Sequence, residues 1–283
     1  DAAALQAIAC APGVVVLDIR SDKIDGQSGK EYAQGHVPCA IHSEYTKGGW
    51  RAKVDGVPGM LPSAQRLEVL IGGLGIDNDT RVVVAPLGGG AKSMAAAARV
   101  YWTFKVLGHD QVSILDGGTD GYAADASRPL EQSPRTPEPK SFTAHLRPEM
   151  LVSEDEFAQA LQTDGLLVDY RRQDEFSGLN RNAKTKRAGT VSGARNVPLE
   201  WLTRDNGGYL RSRQALEQVY ALAQVPANGE QIAFCNTGHN ASLGWFAAHE
   251  ILGDETVRLY DGSMAQWSRD AALPMARSIE VTD

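Results

Sequence analysis

The chain alternates short, continuously apolar runs with longer stretches of helical character. In the first half the runs are residues 14–17, the start of 81–90 and 112–117. In the second they are 166–168, 231–234 and 257–262. Strands apolar on both faces and separated by helices predict parallel sheets covered on both sides. Residues 99–107 and 243–252 are apolar-rich and close on Leu107-Gly108 and Leu252-Gly253, a helix C-cap signal. Ser153-Glu154-Asp155-Glu156 has the form of a capping box and predicts a helix opening there. The expected fold class is α/β, with two three-layer domains, each a small parallel sheet flanked by helices.

Four features recur in the same order about 150 residues apart. A strand ends in an acid and an arginine (Asp18-Ile19-Arg20, then Asp169-Tyr170-Arg171). A turn follows (residues 35–40, then 189–194). Next a strand enters a glycine-containing loop (81–90, then 231–238). Last come a helix, a Leu-Gly break and a strand ending in Asp116-Gly117, then Asp261-Gly262. The spacing far exceeds the ~20–50 residues of solenoid repeats and indicates a duplicated domain. Between the halves, Pro129, Pro134, Pro137 and Pro139 predict a semi-extended connector. The expected domains are 1–127 and 150–283 with a linker at 128–149, the boundary falling near 143–150.

Length and composition (283 residues, 42% apolar, 22% charged) suit two ordinary globular cores. The net charge of −7 argues against a nucleic-acid binder, whose footprint is basic. No apolar run approaches the ~18–20 residues of a membrane span. Cys10, Cys39 and Cys235 form an odd, sparse set that does not suggest a disulfide framework, and Cys10 and Cys39 are expected to be space-filling. No Cys/His spacing suggests zinc, and neither a metal nor an organic cofactor is expected. The chain opens at Asp1 rather than Met, so any signal peptide would lie outside it.

Cys235 carries the candidate chemistry. It ends a strand-like run, and a polar loop, Asn236-Thr237-Gly238-His239-Asn240, leads from it into a helix beginning at Ala241. Such a turn points backbone N–H groups and the positive end of a helix dipole at the sulfur, and both favour a thiolate.

Together these residues resemble the rhodanese family, specifically its tandem-domain sulfurtransferases, over nearly the whole chain. The Asp-x-Arg strands, Gly35-His36-Val37-Pro38-Cys39-Ala40, and the Leu115-Asp116-Gly117-Gly118 and Tyr260-Asp261-Gly262-Ser263 endings match family landmarks. Cys-x-x-Gly-x-x-Ala at Cys235 is the most specific. The resemblance implies two rhodanese-like domains, the second active and the first inactive, and a thiosulfate or 3-mercaptopyruvate sulfurtransferase. Sulfane sulfur would pass from a small anionic donor to cyanide or a thiol through a Cys235 persulfide. The alternative is a carrier module that delivers persulfide to a protein acceptor. Asn236, Thr237, Gly238, His239, Asn240, Ala241 and Arg171 are the expected substrate-binding residues, supported by Asp169 and Asp261.

Within that set, His239 either pairs with the donor or faces solvent. Thr237 caps the helix or reaches the persulfide. Asn236 and Asn240 supply shape and backbone N–H groups, and Gly238 permits a tight turn. Arg171 is expected to pair with Asp261 on the neighbouring strand, with donor neutralisation as its alternative. Arg172 is expected at the surface, and Trp245 and Trp267 in the core or at its rim. Aligning Gly88 with Gly238 and Ala91 with Ala241 places Ala85 opposite Cys235, so the first half lacks a nucleophile.

There are departures from the best-known thiosulfate enzymes. Asn236 and Thr237 stand where those have basic loop residues, and Glu175 where they have a substrate-binding arginine. The Cys-Gly-Ser-Gly loop of mercaptopyruvate enzymes is absent, and Thr190 stands at the place of His36. The Cys235 loop, the 189–194 turn and Tyr-Asp-Gly-Ser-Met resemble a bacterial subgroup often exported to the periplasm. A periplasmic location is therefore expected, with the cytoplasm as the alternative. A cysteine phosphatase would need an arginine where Ala241 stands. Gly88-Gly89-Gly90-Ala91-Lys92-Ser93 interrupts the Gly-Lys-Ser of a phosphate loop. Asp77-Asn78-Asp79 is expected to be a surface turn rather than a calcium loop.

Overall fold

The computed structural model describes residues 1–26, 29–163, 165–226 and 229–279. The strands of the first half are β1 (Val14–Asp18), β2 (Ile41–His42), β3 (Ala52–Val54), β4 (Val57–Met60), β5 (Arg81–Ala85) and β6 (Val112–Ile114). Those of the second are β7 (Leu151–Val152), β8 (Leu166–Asp169), β9 (Arg195–Asn196), β10 (Gln231–Phe234) and β11 (Arg258–Tyr260). The α-helices of the first half are α1 (Ala2–Ile8), α2 (Asp22–Asp25), α3 (Gly29–Gln34), α4 (Ala64–Gly73), α5 (Ala91–Val106) and α6 (Gly118–Ala123). In the second half come α7 (Glu154–Gln162), α8 (Gln173–Ser177), α9 (Arg213–Leu222), α10 (His239–Phe246) and α11 (Ser263–Trp267).

Packing divides the chain into two compact units. One comprises Asp1–Arg51, Leu61–Arg147 and Thr203–Leu210; the other comprises Ala52–Met60, Pro148–Leu202 and the chain from Arg211 onward. In the first unit a parallel sheet runs β2-β1-β5-β6. The second repeats that order as β9-β8-β10-β11 and adds β7 beyond β11, all parallel. The α/β architecture expected from the apolar runs is thus present in both units. The central strands explain it: β10 is buried along its whole length, as a strand covered on both faces must be.

Local signals act where the pattern placed them. Ser153 and Glu156 make a reciprocal capping box at the start of α7. Beyond α10 a π-helical turn, Ala247–Leu252, carries the helix to Gly253, which closes it in the left-handed conformation at φ 81°. Residues 132–147 form no helix or strand, in keeping with their prolines, but they are fastened to the first unit. Glu131 and His36 exchange backbone hydrogen bonds of 3.0 and 2.8 Å, and the Lys140, His145 and Arg147 N–H groups donate to Gly72, Leu107 and Val106. Asp77 forms the expected surface turn, its carboxylate accepting from the Thr80 hydroxyl and the Asp79 N–H.

One expectation is overturned. Cys10 and Cys39 form a disulfide, with Cα atoms 5.3 Å apart, rather than filling space as thiols. Spacing could not foretell it, because the pairing depends on the turn after α3 returning to the end of α1.

In the second unit, Phe157 packs between Phe234, Tyr260 and Trp267, with ring centroids 5.1, 4.5 and 5.1 Å away. Met264 joins this buried cluster, which packs against the carboxyl ends of β10 and β11. Trp245 and Trp267 are fully buried, so both belong to the core.

Candidate active site

Residues two apart on an extended chain project to the same side. At the end of β8 this brings Arg171 back onto Asp169. Its Nε donates to both carboxylate oxygens at 2.9 and 3.0 Å, and its Nη2 donates to Oδ2 at 2.6 Å and to the Gly189 carbonyl at 2.9 Å. The Thr190 hydroxyl adds a bond to Oδ2 at 2.8 Å. Arg171 therefore pairs with Asp169 and not with Asp261, correcting the expectation. The local partner is presented by the strand itself, at no cost in bringing distant segments together. Burial works against the charge of Arg171, but the Asp169 carboxylate, then Glu175 and the Cys235 sulfur, outweigh it and raise its pKa above the ordinary value. The first unit has the same device: Arg20 grips Asp18 and donates to the Gly35 carbonyl at 3.1 Å.

Strand β10 lies between β8 and β11, with Phe234 opposite Asp169 and Ala233 opposite Leu259. Cys235 thus leaves the sheet at its carboxyl end, where parallel α/β sheets bind ligands. Its side chain is 1% exposed and its thiol is free. The N-cap of α10 is Gly238, at φ 70°, and not Thr237, which is buried beside it. His239 and Asn240 open the helix half-buried, and Ala241 is buried. No cation follows the loop at Ala241, unlike the arrangement a phosphatase needs.

Side chains hold this loop in ways its residue types did not announce. Ser263, at the start of α11, accepts the Cys235 N–H at 3.1 Å and the Gly238 N–H at 3.3 Å, and donates to the Tyr260 carbonyl at 2.8 Å. Two loop N–H groups expected to face the sulfur are thereby committed to Ser263. Its φ of 49° is left-handed, a conformation disfavoured for serine and held here by those three bonds. The Met264 and Ala265 N–H groups donate to the carbonyls of Cys235 and Asn236 at 3.0 and 2.8 Å.

On the other side, Asn236 Nδ2 donates to Glu175 Oε2 at 2.8 Å, and Asn182 Nδ2 donates to Glu175 Oε1 at 3.1 Å. Asn240 Nδ2 donates to the Tyr170 carbonyl at 3.2 Å. Asn236 and Asn240 are therefore tethers as well as spacers. Tyr170 is locked in turn by Tyr220 (2.8 Å) and Gln231 (2.6 Å), and its ring lies against Gly244, where a Cβ would come within 2.2 Å of it. Asp261 is buried at the end of β11, and Arg172 is exposed and paired with Asp174 at 2.9 Å.

The corresponding loop of the first unit follows a different alignment from the one expected. Ala85 pairs with Asp18 as Phe234 pairs with Asp169. The Pro86 carbonyl accepts from Thr119 as the Cys235 carbonyl accepts from Met264. Pro86, not Ala85, therefore stands at the place of Cys235, and Gly118 at the place of Ser263. The β-ladder decides this equivalence; aligning the glycines shifts it by one residue. The loop is also filled by the first unit's own residues: Gly117 N–H donates to the Gly208 carbonyl at 3.0 Å, and a Cβ on Gly208 would lie 2.0 Å from the Gly88 carbonyl oxygen.

Ser263 and Asn182 were missed as site residues; the Tyr-Asp-Gly-Ser ending contained the only signal for Ser263.

Two parallel α/β units of one strand order, a buried Asp-Arg grip in each and a cysteine loop in the second define the rhodanese architecture. The Rhodanese-like domain signature matches residues 1–125 and 153–270, and the chain belongs to that family. Thiosulfate sulfurtransferase of Rattus norvegicus is 33% identical over 249 residues, covering 87% of this chain and 81% of the relative. The 3-mercaptopyruvate sulfurtransferase SseA of Escherichia coli superposes with a TM-score of 0.80 at 26% identity, over 93% of this chain and 97% of that one. Tum1 of Saccharomyces cerevisiae, at 20% identity and a TM-score of 0.80, covers 98% of this chain and 96% of its own, and shares the fold. The chain is an enzyme of the sulfurtransferase class.

Proposed function

We propose that this enzyme moves sulfane sulfur from thiosulfate or a related donor to a thiophilic acceptor through a persulfide on Cys235. The observation that carries the reading is the seating of Cys235: a free, buried thiol at the carboxyl end of β10, in a loop held by Ser263 and Glu175. The Cys235 thiolate attacks the outer sulfur of thiosulfate. A sulfur–sulfur bond forms on Cys235 as the donor's own sulfur–sulfur bond breaks, and sulfite leaves with that electron pair. Cyanide or a thiolate then attacks the outer sulfur of the persulfide, and the Cys235 thiolate returns. No proton transfer is required when donor and acceptor are both anions.

In this reading the backbone of Asn236, Thr237, His239, Asn240 and Ala241 and the dipole of α10 hold the negative sulfur, with Gly238 shaping the turn. Arg171 contributes positive potential while it remains bonded to Asp169, and Asp261 supports the neighbouring strand end. The first unit, with Pro86 at the nucleophile's place, takes no part in the chemistry. The Cys10–Cys39 disulfide supports an oxidising compartment such as the periplasm.

Intact mass before and after thiosulfate, then after cyanide, tests the reading. Gain of one sulfur atom on the wild type, its loss to cyanide and no gain by Cys235→Ala are expected; equal gain by Cys235→Ala would refute it.

A further inference from the structure

We infer that Glu175 sets the charge preference of the Cys235 site, favouring sulfane donors that carry one negative charge, such as an organic persulfide or thiosulfonate, over the thiosulfate dianion. This deepens the Cys235 persulfide reading and rests on it. The Glu175 carboxylate is fixed by two amides, one from Asn236, the residue after the nucleophile, and one from Asn182. Neither amide carries charge to offset it. The Asn236 bond of 2.8 Å brings the Glu175 carboxylate onto the loop that carries the sulfur, and both groups act electrostatically on Arg171.

Arg171 pairs with Asp169 and Arg172 with Asp174, whereas Arg181 bonds the neutral carbonyls of Asn182 and Thr185 and keeps its charge. The loop from Cys235 to Ala241 contains neither lysine nor arginine. A donor reaching Cys235 thus approaches an arginine already paired with Asp169 and a carboxylate held by two neutral amides. A second negative charge on the donor is repelled by Glu175, with His239 the one titratable base of the loop, whereas a single charge at the reacting sulfur can be met by the loop's N–H groups. With a thiosulfonate, the thiolate takes the outer sulfur and a sulfinate leaves with the electron pair, so the step balances as it does for thiosulfate.

The test compares thiosulfate with benzenethiosulfonate on the wild type and on Glu175→Gln, which keeps the shape and removes the charge. The ratio of kcat/KM for the dianion to that for the monoanion should rise about tenfold in Glu175→Gln, chiefly through KM, as expected for one nearby unit charge partly screened by solvent. In the wild type the same ratio should rise with added salt, and that dependence should flatten in the variant. A ratio unchanged within twofold in the variant overturns the inference. Should the substitution disturb the loop and slow both donors alike, the wild-type salt dependence decides: a flat or falling ratio overturns it. Sulfur gain on Cys235 from benzenethiosulfonate with an unchanged ratio would remove Glu175's role alone; no gain from either donor would remove both readings.

Discussion

Ser263 Oγ accepts the backbone N–H of Cys235 at 3.1 Å, and the two residues at the matching places of the first unit, Pro86 and Gly118, can neither give nor receive that bond. Proline has no N–H and glycine no hydroxyl, so donor and acceptor are missing together in the unit that has no thiol in this loop. The bond also gives a reason for a serine at φ 49° where the first unit has a glycine at φ 62°.

Ser263→Ala removes the acceptor from two buried N–H groups while keeping the disfavoured backbone. The expected loss of stability is ~1–3 kcal/mol by denaturant unfolding. Sulfur transfer should slow about ten- to a hundredfold as the loop shifts relative to the donor. Ser263→Gly should be about 1 kcal/mol more stable than Ser263→Ala, because glycine adopts this φ readily. Equal stabilities would mean that the backbone strain is absorbed elsewhere.

Gly244 lies against the Tyr170 ring, and a methyl group there would sit 2.2 Å from it. Gly244→Ala must displace Tyr170, whose carbonyl holds Asn240, at a cost of ~1–3 kcal/mol or more. A fall in both the thermal midpoint and the rate of sulfur loading is expected. An unchanged rate would show that the Asn240 tether is dispensable.

Cys10→Ser with Cys39→Ser opens a closure 29 residues apart in sequence and should cost ~3–4 kcal/mol by the chain-entropy argument. Reductant should lower the thermal midpoint of the wild type but not of this double variant. Sulfur loading at Cys235 should persist in the folded double variant, since neither cysteine belongs to the loop.

Asp77 is held by the Thr80 hydroxyl and by Lys140, which together lower its pKa to about 2. A lowered folded-state pKa means that its stabilising contribution is complete above the unfolded value near 3.8 and is lost as pH falls through about 2. Asp77→Asn should therefore flatten the stability–pH curve across that interval and leave its shape near neutral pH unchanged. Denaturant midpoints measured at closely spaced acid pH values would show the same slope as wild type if another group carries the effect.

The repeat, the parallel strands, the Ser153 cap, the Leu-Gly helix ends and the special place of Cys235 were all legible in the chain. Each depends on local order: periodicity, turn chemistry, or a cysteine ending an apolar strand before a polar loop. The departure at Glu175 was legible too, but not what it touches.

Tertiary structure alone decided the partners. Arg171 was expected to reach across to Asp261, but strand geometry returns it to Asp169. Cys10 and Cys39 looked like filler until the fold brought their Cα atoms within 5.3 Å. Pro86 stands in register with Cys235 because hydrogen-bonded ladders set that register, and glycines in a loop do not. Ser263 reaches Cys235 from 28 residues away because β11 lies beside β10. Short-range preferences are written in neighbouring residues, whereas these pairings arise only when separate strands lie side by side, a relation that spacing along one chain does not encode.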